Sequence, residues 1–265
     1  MSQQSPPMAQ RVAILGSTGS VGVNTLDVIR RHPGRFEVFA LTASTRVDVM
    51  LAQCVTHRPA FAVMADAASA KALALQCKAL DLPTQVMSGA GAIAEIAGHE
   101  QVQTVMAAIV GAAGLAACMC AAKAGKRLLL ANKEALVVGG AVFMQAVAEG
   151  GAKLLPIDSE HSAIFQSLPD DTSTWAARVD KLILTASGGP FRQRDPATFC
   201  DVLPAQACAH PNAGRDRIGA PETAAVLGRE AGAIALHLGA CAGGVSCHVA
   251  LVNLGVRNPG VVEEH

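Results

Sequence analysis

Val12-Ala13-Ile14-Leu15-Gly16-Ser17-Thr18-Gly19-Ser20-Val21-Gly22 is the stretch that decides the fold. Four apolar residues of strand type run into three glycines spaced by three, and the helical pattern Val21–Arg31 follows at once. This is a GxxGxxG variant of the dinucleotide fingerprint. The first glycine permits a sharp strand exit, the second a close approach of pyrophosphate, and the third tight packing of helix on strand. The N–H groups and dipole at the start of the helix then favour phosphate. A purely structural glycine turn is the alternative, but a strand before and a helix after favour the nucleotide reading. Gly16, Thr18, Gly19, Ser20 and Val21 are therefore candidate cofactor contacts.

Outward from that loop, short apolar runs alternate with helical patterns. Strands are expected at Arg11–Leu15, Phe36–Leu41, Phe61–Ala65, Thr104–Val110, Lys126–Ala131 and Lys153–Ile157. Helices are expected at Val21–Arg31, Ala67–Leu80, Leu115–Lys123 and Glu134–Glu149. The alternation predicts an α/β chain with a doubly wound, Rossmann-like parallel sheet. The texture changes after Ile157, where a helix-like Ser162–Leu168 and a strand at Lys181–Thr185 suggest the start of a second α/β domain. Met1–Gln10 is polar and is expected to be disordered. From Ala213 glycines crowd a stretch without clear periodicity, which predicts a poorly structured tail. The expected organisation is thus a disordered 1–10, a nucleotide domain at 11–157, part of a catalytic domain at 158–212 and a divergent tail at 213–265.

Composition narrows the functional classes. The chain has 265 residues, 51% hydrophobic and 16% charged, with 21 basic and 21 acidic side chains. That balance gives no global field to draw in nucleic acid or an anionic membrane. Charged or amide residues interrupt every long apolar run, so no spanning helix is expected. Aromatic residues are only 3%, with no Tyr, which argues against base-stacking platforms. The eight cysteines show no Cys-x-x-Cys spacing, and a reduced, cytoplasmic protein is expected. His237, Cys241, Cys247 and His248 match no familiar zinc spacing.

The end of the second strand separates the two nicotinamide cofactors. An NAD-binding chain usually places an acid there, about 20 residues after the fingerprint, to hold the ribose 2′-hydroxyl. Here Ser44, Thr45 and Arg46 occupy the position, two hydroxyls and a cation that suit a 2′-phosphate. NADPH is the expected cofactor. The competing readings are that Arg46 merely begins a helix, or that Asp48 serves as the acid.

Further segments carry a family resemblance: Met106–Gly114 (MAAIVGAAG), Leu130–Glu134 (LANKE), Leu155–His161 (LPIDSEH), Ile164–Pro169 (IFQSLP) and Ser187–Phe191 (SGGPF). Together with the glycine loop, and in this order, they resemble the signature blocks of the 1-deoxy-D-xylulose 5-phosphate reductoisomerase family, from residue 11 to about 212. The resemblance implies an NADPH-dependent rearrangement and reduction of 1-deoxy-D-xylulose 5-phosphate to 2-C-methyl-D-erythritol 4-phosphate, in non-mevalonate isoprenoid biosynthesis. It implies a phosphosugar substrate and a divalent cation, Mn2+ or Mg2+, and it allows a homodimer. By the same resemblance Asn132 and Glu134 lie against the cofactor, Lys133 contacts substrate, and Ser159, Glu160, Ser187 and His210 hold it. Lys133, Asp158 and Glu160 are the expected catalytic residues.

Asp158 and Glu160 are the expected metal ligands. Their i, i+2 spacing in an extended chain would turn both carboxylates to one side, and hard oxygens suit such cations. A helix cap or solvated loop is the bland alternative. Ser187-Gly188-Gly189 has the composition of an anion-binding nest.

The resemblance ends at Asn212. The family's lid, its remaining phosphate contacts and its third metal-binding Glu find no counterpart in Ala213–His265, and neither Glu222 nor Glu230 sits in a matching context. The sequence therefore leaves open a catalytically inactive NADPH-binding fragment of such an enzyme. A different nucleotide-linked reductase, such as a semialdehyde dehydrogenase relative, would need a nucleophilic Cys at a helix head; Cys118 and Cys120 lie inside a helix pattern instead.

Overall fold

The structure is a computed structural model that describes residues 9–179 together with 183, 184, 203, 247 and 248. Residues 1–8, Ser187, His210, the Ser187–Gly189 nest and all but Cys247 and His248 of the tail lie outside the described residues. The chain divides into two compact units, Met1–Ile157 and Asp158–His265.

In the first unit, strands and helices alternate without exception. The elements are β1 (Gln10–Leu15), α1 (Ser20–Arg31), β2 (Phe36–Ala43), α2 (Val47–His57), β3 (Phe61–Met64), α3 (Ala67–Ala79) and β4 (Gln85–Ser88). There follow α4 (Gly89–Gly98), β5 (Thr104–Ala107), a 3-10 turn at Gly111–Gly114, α5 (Leu115–Lys123), β6 (Arg127–Leu130), α6 (Lys133–Gly150) and β7 (Lys153–Pro156). All seven strands are parallel, in the order β4-β3-β2-β1-β5-β6-β7. The fold is α/β with a doubly wound, Rossmann-like sheet. Strand order reverses between β1 and β5, and such a reversal opens a crevice at the carboxyl ends of the strands.

Both sheet faces are buried, which is why the strands are apolar almost throughout. On one face Val12, Ile14, Leu41 and Met64 pack against Leu26 and Ile29 of α1, Met50 of α2 and Leu73 of α3. On the other, Ala13, Leu15, Val105 and Leu128 pack against Ile96 of α4, Ala121 of α5 and Phe143 of α6. A bulge interrupts the β1–β2 ladder: Val12 pairs with Val38 but Ala13 pairs with Ala40. Phe39 is the extra residue, and Phe39 and Ala40 both face the α4–α6 layer while Val38 and Leu41 face the other.

The structure adds three elements to the expected alternation: α2, β4 and α4. Helix α2 is apolar on nearly every side and so lacks a clear period. Strand β4 is a four-residue edge strand without alternating burial, and α4 opens on Gly89-Ala90-Gly91. Strand β1 starts at Gln10, inside the segment expected to be disordered. Helix α6 breaks at Gly140, whose backbone departs from helical geometry.

The second unit begins with α7 (Ser159–Ser167), followed by a 3-10 turn at Thr172–Thr174 and α8 (Trp175–Arg178). The two-residue strands β8 (Ile183–Leu184) and β9 (Cys247–His248) pair antiparallel. Among the described residues no helix is long and apolar enough to cross a membrane.

Candidate functional site

The glycine loop is held in place by its own backbone, by β2 and by side chains of α2 and its N-cap. Gly16 has φ of 83°, a left-handed conformation that favours glycine, and a Cβ there would lie 2.8 Å from the Ala108 carbonyl oxygen. The Gly16 and Ser17 N–H groups donate to the Thr42 carbonyl at 3.1 and 2.8 Å, and Gly16 N–H also reaches Thr42 Oγ1 at 3.0 Å. Gly19 N–H donates to the Gly16 carbonyl at 3.1 Å, closing a tight turn, and Gly19 is the N-cap of α1.

Helix α1 starts without a side-chain cap and without an acidic residue in its first turn. The first N–H groups of a helix have no intrahelical acceptor, and among the described residues no side chain caps them. Ser20 and Val21 are the first two helical residues, so their N–H groups belong to this end. Such an end attracts phosphate oxygens by hydrogen bonding and by the helix dipole.

Beyond β2, Ser44, Thr45 and Arg46 are exposed, and Arg46 is the N-cap residue of α2 rather than part of the helix body. Its Nη1 donates to the Thr18 carbonyl at 2.8 Å, bringing the guanidinium to the rim of the glycine loop. Asp48 lies in the first turn of α2 and is exposed.

Across the strand-order reversal, a cleft of about 180 Å3 is lined by Val21, Ala108, Ile109, Val110, Ala131, Asn132 and Glu134. Asn132 shapes it. Its Nδ2 donates to the Ile109 carbonyl at 2.5 Å and to the Gly111 carbonyl at 2.8 Å, while Oδ1 caps α6 by accepting from Ala135 N–H at 3.1 Å. One buried amide therefore ties the loop after β5 to the start of α6. Lys133 is the first residue of α6, and Glu134 the second. The structure brings the glycine loop, Asn132 and Glu134 to one crevice, and places Ser44–Arg46 beside the loop.

In the second unit, Asp158 is the N-cap of α7, two residues after β7 in the chain. Its Oδ1 accepts from His161 N–H at 3.0 Å and lies 2.6 Å from His161 Nδ1. Ser159 and Glu160 are the first two residues of α7. The extended i, i+2 arrangement expected for Asp158 and Glu160 is thus replaced by a helix start, because Asp at an N-cap satisfies orphan N–H groups. His161 as the neighbour of Asp158 was not expected. Among the described residues no group of three or more His, Cys, Asp or Glu could hold a metal ion.

Among the described residues, Cys54 and Cys118 are buried thiols that offer no nucleophile. Burial pushes the Cys118 thiol up to about 11 and the Cys54 thiol up to about 12. A thiol so held is un-ionised at neutral pH and a poor nucleophile. This removes Cys118 as the nucleophile that the semialdehyde dehydrogenase alternative needs.

The parallel sheet and its glycine loop at the strand-order reversal place the chain among doubly wound α/β proteins built as dinucleotide-binding domains are. Comparison with known proteins goes further. Residues 12–140 match the 1-deoxy-D-xylulose 5-phosphate reductoisomerase family model, and residues 154–218 match the model of that enzyme's C-terminal domain. The chain belongs to the 1-deoxy-D-xylulose 5-phosphate reductoisomerase family.

It is 55% identical to the reductoisomerase of Aromatoleum aromaticum over 80% of this chain and 53% of that protein. It is 57% identical to that of Methylobacillus flagellatus over 78% of this chain and 52% of the relative. A solved DOX-P reductoisomerase in complex with NADPH, fosmidomycin and magnesium superposes with a TM-score of 0.65 and 42% identity, covering 77% of this chain and 51% of that one. The Zymomonas mobilis enzyme in complex with NADPH gives 0.65 and 40%, covering 77% and 52%. The chain spans about half the length of the curated relatives it matches.

Proposed function

We propose that the first unit binds NADPH and that the chain serves the NADPH-dependent, divalent-metal-assisted conversion of 1-deoxy-D-xylulose 5-phosphate to 2-C-methyl-D-erythritol 4-phosphate. One observation carries the cofactor half: an uncapped α1 with no acid in its first turn, presented by a braced glycine loop at the strand-order reversal. Gly16, Thr18, Gly19, Ser20 and Val21 hold the pyrophosphate. Ser44, Thr45 and Arg46 receive the 2′-phosphate, for which a guanidinium is well shaped. Asn132 and Glu134 border the nicotinamide end through the cleft they line.

The chemical half draws on Lys133 and on the second unit. Lys133 binds the substrate as a cation, and Ser159, Ser187 and His210 orient it and its phosphate. Asp158 and Glu160 offer hard carboxylate oxygens, a donor set that fits Mg2+ or Mn2+. When bound, NADPH supplies the hydride and the cation supplies stabilisation of charge on the substrate oxygens. His161 keeps the Asp158 carboxylate fixed in direction. In this reading 11–157 is the cofactor domain, 158–212 part of the catalytic domain and 213–265 a divergent tail, in a cytoplasmic protein that needs neither nucleic acid nor a membrane.

Titration with NADPH and NADH tests the cofactor half, with tighter NADPH binding expected. Loss of reduced-nicotinamide absorbance on adding 1-deoxy-D-xylulose 5-phosphate with Mg2+ or Mn2+ tests the chemical half. Equal or tighter NADH binding overturns the first. Bound NADPH that the substrate never oxidises overturns the second.

A further inference from the structure

Gln53 belongs to α2, yet both ends of its side-chain amide are turned onto the glycine loop. Nε2 donates to the Ser17 carbonyl at 2.9 Å, and Oε1 accepts from Ser17 Oγ at 2.7 Å. Gln53 is 8% exposed and Ser17 0% exposed, so water does not compete for these bonds. The neighbours on that face of α2, Met50 and Cys54, are buried and apolar. A glutamine among them is costly to bury unless its amide is matched, and among the described residues Ser17 matches it.

The bond to the Ser17 carbonyl has a consequence one atom further along. A trans peptide is planar, with its C=O and N–H pointing in opposite directions, and the described chain has no cis peptide. Fixing the Ser17 carbonyl toward α2 therefore turns the Thr18 N–H away from α2. The neighbouring Gly19 N–H is already engaged by the Gly16 carbonyl. Arg46, at the head of the same helix, holds the next carbonyl, that of Thr18. Gln53 lies seven positions after Arg46, about two helical turns, so α2 and its N-cap together grip two consecutive carbonyls of the loop.

We propose that Gln53 is a positioning residue for the cofactor pyrophosphate: it holds the Ser17–Thr18 peptide so that the Thr18 N–H stands ready as a donor. The inference rests on the NADPH reading above. Pre-orientation matters because a donor that must rotate on binding loses affinity to the ordering it needs.

The test is a pair of titrations on Gln53→Met, which keeps length and apolar packing but makes neither bond. NADPH carries the pyrophosphate; adenosine 2′-phosphate carries the adenosine and 2′-phosphate without it. NADPH affinity should fall about tenfold, the scale expected for losing buried hydrogen bonds. Affinity for adenosine 2′-phosphate should stay within about twofold, a selectivity that general loosening of the fold would not produce.

Gln53→Glu covers the case in which the methionine variant does not fold. It keeps the acceptor for the Ser17 hydroxyl, loses the donor when ionised, and should show the same selective loss. A folded variant that binds NADPH within about twofold of the parent chain overturns the proposal, as does an equal loss for both ligands. A parent chain that binds no NADPH overturns the cofactor reading itself, and this proposal with it.

Discussion

Gly22→Ala puts the packing of α1 on the glycine loop to a direct test. An alanine Cβ at residue 22 would stand 2.5 Å from the Gly16 carbonyl oxygen, 2.5 Å from Ser17 Cα and 2.6 Å from the Ser17 carbonyl oxygen. All three are backbone atoms, so no rotamer change relieves the clash; α1 must move off the loop. Overpacking of this kind costs about 1–3 kcal/mol, and backbone contacts put Gly22 at the upper end. Replacing a helical glycine by alanine returns about 1 kcal/mol. The net loss is about 2 kcal/mol, or roughly 4–8 °C in melting temperature for a unit of this size.

Gly91→Ala is the matched control. It lies in α4, and a Cβ there meets nothing within 4 Å. That substitution should stabilise by about 0.5–1 kcal/mol. Thermal unfolding followed by circular dichroism, with NADPH titration alongside, reads both variants. A Gly22→Ala protein that melts at or above the parent temperature refutes the packing argument. Unchanged NADPH affinity in a destabilised Gly22→Ala protein would separate loop packing from cofactor binding.

Three further outcomes are expected. Arg46→Ala should weaken NADPH by about 1.5–3 kcal/mol, the range for a hydrogen bond to a charged group, and weaken NADH less, through the lost bond to the Thr18 carbonyl alone; an unaltered NADPH titration would contradict the assignment. Asn132→Ala removes the α6 cap and strips partners from the Ile109 and Gly111 carbonyls, so urea unfolding should show a loss of about 2–3 kcal/mol, and a loss under about 0.5 kcal/mol would show the amide to be dispensable. Burial first, and then Arg30, hold the His57 pKa below its ordinary value of 6.5. The folded state therefore resists protonation more than the unfolded chain, so His57 contributes a stability loss that begins as pH falls through about 6.5 and grows until the folded pKa is passed. Melting curves against pH should fall less steeply in that window for His57→Gln; identical curves would disprove it.

Legibility in the sequence followed how local each signal is. The Val12–Gly22 stretch announced strand, turn and helix because apolar run, glycine spacing and helical period lie side by side, and the neighbouring β-α pairs followed for the same reason. Helix α2 gave no such signal: Val47, Val49, Met50, Leu51, Cys54 and Val55 spread apolar surface around it, so no period emerges. Strand β4 is short and lies at the sheet edge, where alternation does not develop. In the candidate site, the missing acid drew attention to Ser44–Arg46, and Arg46 reaches the glycine loop through the Thr18 carbonyl. The Ser17–Gln53 clamp and the Asn132 bonds to Ile109 and Gly111 could not, since both join segments more than twenty residues apart. Asp158 and Glu160 were recognisable as a pair, but the helix that starts between them overrode the extended geometry their spacing suggested.

The bulge at Phe39 makes the glycine loop depend on counting as well as on chemistry. Upstream of it, Val38 and every second residue would face the α1–α3 layer, and an uninterrupted strand would carry Thr42 to that side as well. With Phe39 inserted, Leu41 and Ala43 take that side instead, and Thr42 stands opposite Leu15, where its hydroxyl and carbonyl catch the emerging Gly16 and Ser17. The even or odd number of residues between the bulge and the strand end thus selects which side chain meets the loop. Conservative exchanges along Ala40–Ala43 leave that parity intact. A single-residue insertion or deletion there inverts it, and a second compensating change of length in the same strand restores it.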